Sequence, residues 1–264
     1  MEHENLIRLA VFLVLFGLLA AAEAWAPRRR RCLPRGRRWV TNLSISVLNT
    51  AVLRLLAFGL PLLAAGAALD AAARGAGLFN RVDWPGWLEV LLAVLVLDFA
   101  IWLQHLITHK VPLLWRLHRV HHADRDMDVT TAVRFHPVEI ALSMLVKIGL
   151  VYLLGASLVA VVLFEILLSG TALFTHANLR LPARADGWLR LVLVTPDMHR
   201  VHHSVLRAEH DSNYGFALSL WDRLFGTYRA RPGKGHDGMT IGLAWQDGRP
   251  ARLGWSLLLP FRRF

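Results

Sequence analysis

The sequence predicts an all-α integral membrane protein with four to five transmembrane helices and a histidine-rich helical cap. Three observations carry this. Hydrophobic residues make up 55 % of the 264 positions and charged residues only 19 %, below the roughly 25 % usual for soluble chains. Several apolar runs reach the roughly 20 residues that span a bilayer as a helix. The formal charge is +11 and lysine is rare, with Lys110, Lys147 and Lys234 the only ones among 30 basic residues. In a soluble chain such a charge would suggest nucleic acid. In an apolar chain it fits loops held at an anionic membrane surface, so no nucleic-acid partner is expected. A single cysteine, Cys32, excludes an internal disulfide framework and a cysteine-based zinc ribbon.

Leu6–Trp25 is the first span. Ala24-Trp25-Ala26 resembles a signal-peptidase site, but Met1–Asn5 is acidic and Arg28–Arg31 follow the run directly. Positive charge after an apolar run reads as an anchor whose basic end faces the cytoplasm. Seven arginines lie between Arg28 and Arg38. They read as a solvated loop that fixes topology, since no interleaved aromatics suggest a nucleic-acid groove. The second span is expected over Leu43–Leu69, with Arg54 inside it and obliged to snorkel, pair or face the protein. Asp70–Pro85 is a polar connection, and Trp84 and Trp87 mark an interfacial belt. Leu88–Ile107 is the third span. Val138–Thr175 suits two spans joined at Gly155-Ala156-Ser157, a hairpin that would bring Lys147 and Glu165 together. This path puts residues 105–137 and 176–264 on the same side as the arginine-rich loop. The tail Leu253–Phe264 reads as an interfacial anchor. The expected organisation is N-terminal anchor helices over 1–87, a catalytic unit over 88–230 and a tail over 231–264.

The chain has 13 histidines, and their spacing carries the chemistry. His105 and His109 form His-x-x-x-His at the end of the third span. His118, His121 and His122 form His-x-x-His-His, and His199, His202 and His203 repeat it. His176 closes the fifth span. Residues i, i+3 and i+4 of a helix share a face, so each triplet is expected to offer three imidazoles in one direction. One such triplet arises by chance with a probability of roughly 10⁻⁴ per start, so two in this chain are not accidental. Imidazole suits Fe, Zn, Cu and Ni. Nine are too many for one metal with an open position and about right for two. His136 and His210 are weaker candidates, and His3 and His236 are expected at the surface. His-Glu-x-x-His, Glu-x-x-His, glycine-rich phosphate loops and Gly-x-Ser-x-Gly are all absent, which disfavours zincin proteases, carboxylate-bridged bundles, phosphate-binding folds and α/β-hydrolases.

Across about residues 95–245 the order of motifs resembles the membrane fatty acid hydroxylase superfamily, which includes the sterol desaturases and C-4 sterol methyl oxidases. The shared elements begin with Asp98-x-x-x-Trp102-x-x-His105-x-x-x-His109, Trp115-x-x-His118-x-x-His121-His122 and Arg134-Phe135-His136-Pro137. They continue with His176-x-Asn178, Pro196-x-x-His199-x-x-His202-His203, Asn213-Tyr214-Gly215 and Trp221-Asp222-x-x-Phe225-Gly226-Thr227-Tyr228. Gly235–Leu243 is similar to a tail of bacterial members. The resemblance implies two iron ions held by the nine histidines, O2 as co-substrate, and electrons from a separate protein, cytochrome b5-like or a ferredoxin and its reductase. It also implies hydroxylation or desaturation of a C–H bond of a membrane lipid, whether fatty acyl, sterol-like or hopanoid-like. The expected location is a bacterial inner membrane, with the histidines at the cytoplasmic side.

Where some members carry a further histidine, this chain has Arg180, which leaves Asn178, His136 or water to act as a tenth ligand. Asp98, Asp197 and Asp222 could orient ligand imidazoles or serve packing. Two other readings use the same cage: a membrane metal-handling protein, whose ligands would sit near the bilayer midplane, and a zinc-dependent membrane hydrolase.

Overall fold

The computed structural model describes residues 2–59, 63–83 and 85–262. Trp84, Arg263 and the side chain of His3 lie outside the described residues. The described residues contain helices and isolated bridges but no strand. Five helices are long and apolar enough to cross a membrane: α1 Glu2–Trp25, α2 Arg35–Gly59, α4 Gly86–Lys110, α6 Pro137–Leu154 and α7 Leu158–His176. Between α2 and α4 lies the short α3 Ala64–Ala73. The second span therefore differs from the expected Leu43–Leu69. The helix begins eight residues earlier, and Leu63, with ψ -178, is non-helical ahead of α3, so the apolar stretch resumes as a separate element. The buried face of α3 is Ala64, Gly66, Ala67, Ala68 and Ala71. Small residues of this kind let backbones approach closely inside a membrane, and α3 packs on α6 and α7.

The α6–α7 hairpin turns where the sequence places it. Gly155 caps α6 with φ +67, and Ser157 caps α7 by accepting from the Ala160 amide at 3.4 Å. Gly77, at φ +92, lies against this turn so closely that a Cβ would sit 2.1 Å from the Gly155 nitrogen. Lys147 Nζ reaches Glu165 Oε1 at 2.9 Å, and Arg8 Nη2 reaches the other carboxylate oxygen at 2.6 Å. Glu165 thus has two cations. Lys147→Met leaves Arg8 in place and is expected to change thermal stability little. The double replacement of Arg8 and Lys147 isolates the carboxylate and is expected to cost about 3–5 kcal/mol. Thermal melts in detergent distinguish the two. Arg54 is exposed on α2, five residues from its end, where a long side chain can snorkel outward.

The arginine-rich segment is not a solvated loop. Arg30 and Arg37 are exposed, but the other five arginines are engaged. Arg28 pairs with Asp197 at 3.1 Å and Asp237 at 2.8 Å. Arg29 donates to the carbonyls of His236 and Met239. Arg31 and Arg35 lie 3.6 and 3.3 Å from the buried Glu23. Arg38 is fully buried in a fork to Asp124, 2.7 Å on each arm, with a third bond to Asp128 at 2.6 Å. Apart from Glu23, these partners lie 86 to 210 positions away along the chain, so the segment clasps the membrane helices to the cap.

The tail also differs from a simple interfacial anchor. Trp255 and Leu259 pack with Ile45, Val120 and Ala123, while Leu258 and Phe261 stay exposed. Arg134 binds the tail to α5 (Pro112–His122) through Val120 O, Pro250 O and Ser256 Oγ at 2.7 to 2.9 Å.

Candidate metal centre

The C-termini of α4 and α7 and the N-terminus of α6 meet at one end of the bundle. There they face α5 and, beyond α8 (Ala183–Leu189), the two-turn helix α9 (Pro196–His202). Pro112 and Pro196 sit in the first turns of α5 and α9, where a missing amide costs nothing. This arrangement brings all nine histidines into two adjoining groups. His105, His109, His118, His122 and His202 form one; His121, His176, His199 and His203 form the other. Within each group one ring nitrogen per residue lies within 4.8 Å of all the others. Some approach more closely, with His105 and His118 Nε2 3.0 Å apart, and His176 Nε2 3.1 Å from those of His121 and His199.

Each His-x-x-His-His triplet is divided between the groups. His118 and His122 serve one group and His121 the other, whereas His199 and His203 serve the second and His202 the first. At 3.6 residues per turn, positions i and i+4 differ by only about 40°, while i+3 lies about 60° to the other side of i. A single short helix can therefore stand between two centres and supply both. This corrects the expectation of one common direction per triplet.

Four rings are oriented from behind. Nδ1 of His105, His202 and His176 donates to the carbonyls of Tyr214, Ser212 and Ala172, each at 2.7 Å. His118 Nδ1 donates to Glu139 Oε1 at 2.6 Å. Such bonds fix the tautomer and leave Nε2 free to ligate. His109 Nδ1 lies 3.7 Å from Asp211 Oδ1. Glu139→Gln is expected to weaken metal affinity about 10- to 100-fold with the fold intact, measured by chelator competition.

The loop after α9 owes its shape to two polar residues. Asn213 adopts φ 53 and ties Met198 O, Arg229 O and Arg229 N with its amide. Asp222 accepts from the amides of Tyr214 and Gly215 at 2.8 and 2.9 Å and from Trp102 Nε1 at 3.0 Å. Asp222 thus acts on His105 only through the position of Tyr214. Asp98 accepts from Trp221 Nε1 at 2.8 Å, a packing role. Asp197 pairs with Arg28 and Arg200. None of the three touches a clustered imidazole. Glu139 and Asp211 do, and the sequence reading passed over both. A carboxylate in the first turn of the helix that follows Arg134-Phe135-His136-Pro137 was the available signal for Glu139.

The candidates for a tenth ligand are otherwise engaged. Asn178 exchanges hydrogen bonds with the Arg29 backbone at 3.0 and 2.9 Å. His136 caps α6 by accepting from the Val138 amide, and its Nε2 lies 3.3 Å from Leu257 O. Arg180 pairs its amide with Ala26 O. His210 stacks on Trp115 at 5.2 Å and approaches His109 and Asp211. His236 is half-buried, 3.6 Å from Asp197.

The residues fit a pair of metal ions. Nε2 of His109, His122, His202 and His203 is buried with no hydrogen-bond partner among the described residues. A buried polar atom left bare costs about 1–3 kcal/mol, and a cation offsets that cost. Burial, and after it the neighbouring imidazoles, push the pKa of His121, His122, His199, His202 and His203 well below the ordinary 6.5. The rings are therefore neutral and competent to ligate. Because the folded pKa values are depressed, the metal-free fold has its full stability above about pH 6.5 and loses it as the unfolded chain takes up protons. Thermal melts of chelator-treated protein from about pH 7 to about pH 5 are expected to show a steady fall.

A cavity of about 280 Å³ runs between α1, α2, α4, α6 and α7 and reaches His105, His118 and Glu139. Its apolar lining includes Phe12, Leu53, Ile101 and Leu168.

The fatty acid hydroxylase family model matches residues 90–227, more than half of the chain and the whole of both histidine groups. The chain belongs to the fatty acid hydroxylase family. It is 34 % identical over 154 residues to ornithine lipid hydroxylase OlsE of Rhizobium tropici, covering 57 % of this chain and 44 % of that protein. It is 34 % identical over 166 residues to alkylglycerol monooxygenase of Homo sapiens, covering 62 % and 35 %. With fatty acid hydroxylase vlmA of Lecanicillium sp the identity is 28 % over 187 residues, covering 61 % and 47 %. The match thus spans less than half the length of each of these relatives. No solved structure matches the chain. The family match begins after the arginine-rich clasp, so Arg28–Arg38 and their pairing with Asp124, Asp128 and Asp197 join a segment outside the match to residues within it.

Proposed function

We propose that this chain is a membrane lipid hydroxylase or desaturase that uses O2 and two iron ions. The observation that carries the reading is the pair of adjoining all-histidine groups, one of which opens through His105 and His118 onto a largely apolar cavity between membrane helices. His105, His109, His118, His122 and His202 hold one ion; His121, His176, His199 and His203 hold the other. When bound, iron supplies the oxygen activation and C–H oxidation that no side chain offers. The protein supplies the rest. Glu139 and Asp211 aim the His118 and His109 rings. The cavity excludes water and brings a lipid chain from the bilayer to His105 and His118 without an aqueous crossing. The histidines lie at the ends of spans and beyond them, unlike the midplane ligands of a carrier.

Electrons come from a separate redox protein. The arginine-rich segment shares the histidine end of the bundle, which by the positive-inside rule is the cytoplasmic face of a bacterial inner membrane. Residues 88–230 form the catalytic unit, with 1–87 and 231–264 bracing it. The test is lipid analysis of cells that express the chain and are grown under isotopically labelled O2. A lipid species heavier by one labelled oxygen atom, absent with the His122→Ala variant, is the expected result for hydroxylation. A lipid lacking two hydrogens marks desaturation. An unchanged lipid profile in cells that make the folded, iron-loaded protein would refute the proposal.

A further inference from the structure

The cavity carries more polarity than a hydrocarbon tail needs, and its buried oxygens without a hydrogen-bond partner among the described residues lie at the histidine end. The cavity-lining positions of α2 are Ser46, Asn49, Thr50 and Leu53; those of α4 are Ile101, Gln104, His105 and Thr108. Each set follows the i, i+3, i+4, i+7 spacing of one helix face. Three oxygens of lining residues are buried and have no hydrogen-bond partner among the described residues: Asn49 Oδ1, Gln104 Oε1 and Glu139 Oε2. The orientation of Asn49 is fixed, because its Nδ2 donates to Phe135 O at 3.0 Å. Glu139 is held by His118 on its other oxygen. The neighbouring hydroxyls do not serve these oxygens. Thr50 donates to Ser46 O at 3.0 Å and Thr108 to His105 O at 2.7 Å. All three orphans are acceptors, so what satisfies them must donate.

We propose that the cavity selects a lipid bearing at least two hydrogen-bond donors, hydroxyl or amide N–H, close to the carbon that reacts. The donors meet Asn49, Gln104 and Glu139, and the tail runs on toward Leu53, Ile101 and Leu168. Because the acceptors share the histidine end, the carbon presented to His105 and His118 belongs to the polar part of the lipid or the first few methylenes beyond it, not to the chain terminus. This inference rests on the cavity being the lipid site proposed above.

Binding to the purified full-length protein in neutral detergent tests it. The probes share one acyl length: N-lauroylethanolamine and monolauroylglycerol carry donors, and methyl laurate has none. The donor-bearing lipids are expected to bind about tenfold tighter or more, because a lipid without donors leaves the buried acceptors bare. Gln104→Met keeps the bulk and removes one acceptor. It is expected to narrow the preference at least about threefold, by weakening the donor-bearing lipids and sparing methyl laurate. Asn49→Ser gives a second, independent reading should the first variant fold poorly. Equal affinity for all three lipids in the wild-type protein overturns the inference. Turnover separates this from the functional proposal. Equal binding with methyl laurate oxidised leaves a hydroxylase without donor selection. A clear donor preference with no lipid oxidised by the iron-loaded, electron-supplied protein leaves the cavity reading and removes the hydroxylase.

Discussion

His122→Ala is expected to strip iron from the protein and lower lipid oxidation to less than about a hundredth of the wild-type rate. Both ring nitrogens of His122 are buried and bare among the described residues. Its ring stands 4.5 Å from that of His203 and 4.7 Å from that of His202, at the seam between the two groups. Replacing a group that merely orients a ligand costs about 10- to 100-fold in affinity or activity, and removing a ligand exceeds that. The fold is expected to survive, because neither ring nitrogen bonds any described group and its removal relieves a desolvation cost. Iron content and labelled-oxygen incorporation, read together with a thermal melt, check the result. Full activity in the variant would mean that the five-histidine group is not a metal site.

The second large effect is on stability. Arg38→Met is expected to destabilise the protein by about 3–5 kcal/mol, because Asp124 and Asp128 are left buried with the fork removed. Burial alone would raise the Asp124 carboxyl; the Arg38 guanidinium outweighs it and holds the group below the usual range. Asp124 follows His122 by two residues, so the loss reaches the metal site, and the variant is expected to retain less iron. Arg38→Lys should not rescue it. The guanidinium engages three carboxylate oxygens in a planar fork, whereas an ammonium is a point charge. Denaturation in detergent measures the cost. A melt equal to wild type for Arg38→Met would show that the clasp is incidental.

Much of this molecule was legible in its sequence. Four of the five spans, the hairpin at Gly155, the Lys147–Glu165 pair and all nine clustered histidines follow from apolar length and helical spacing, which are local properties. What escaped is long-range or geometric. The arginine segment reads as solvated because Glu23 is the one acidic residue close to it in the chain, and its other partners lie between α5 and α6, on α9 and beyond α9. The break at Leu63 ahead of α3 was hidden by the continuous apolar composition around it. The division of each triplet between two centres depends on where α5 and α9 stand in space, although the angular offset that permits it is present in any helix. Glu139 lies among apolar residues, and beyond its place in the first turn of α6 nothing local marks the imidazole 21 positions earlier that meets it. Asp98 and Asp222 show the converse: acidic residues that could orient imidazoles spend their oxygens on tryptophan and backbone donors instead.

The central claim is that nine imidazoles hold two iron ions. The most direct measurement is elemental analysis of the detergent-purified, full-length protein from iron-supplemented cells, beside the His121→Ala/His122→Ala variant, which removes one ligand from each group. About two irons per folded chain are expected in the wild type, one for each group, with a clear loss in the variant. A folded wild-type protein without transition metal, or one that keeps the same iron when both histidines are gone, would contradict it.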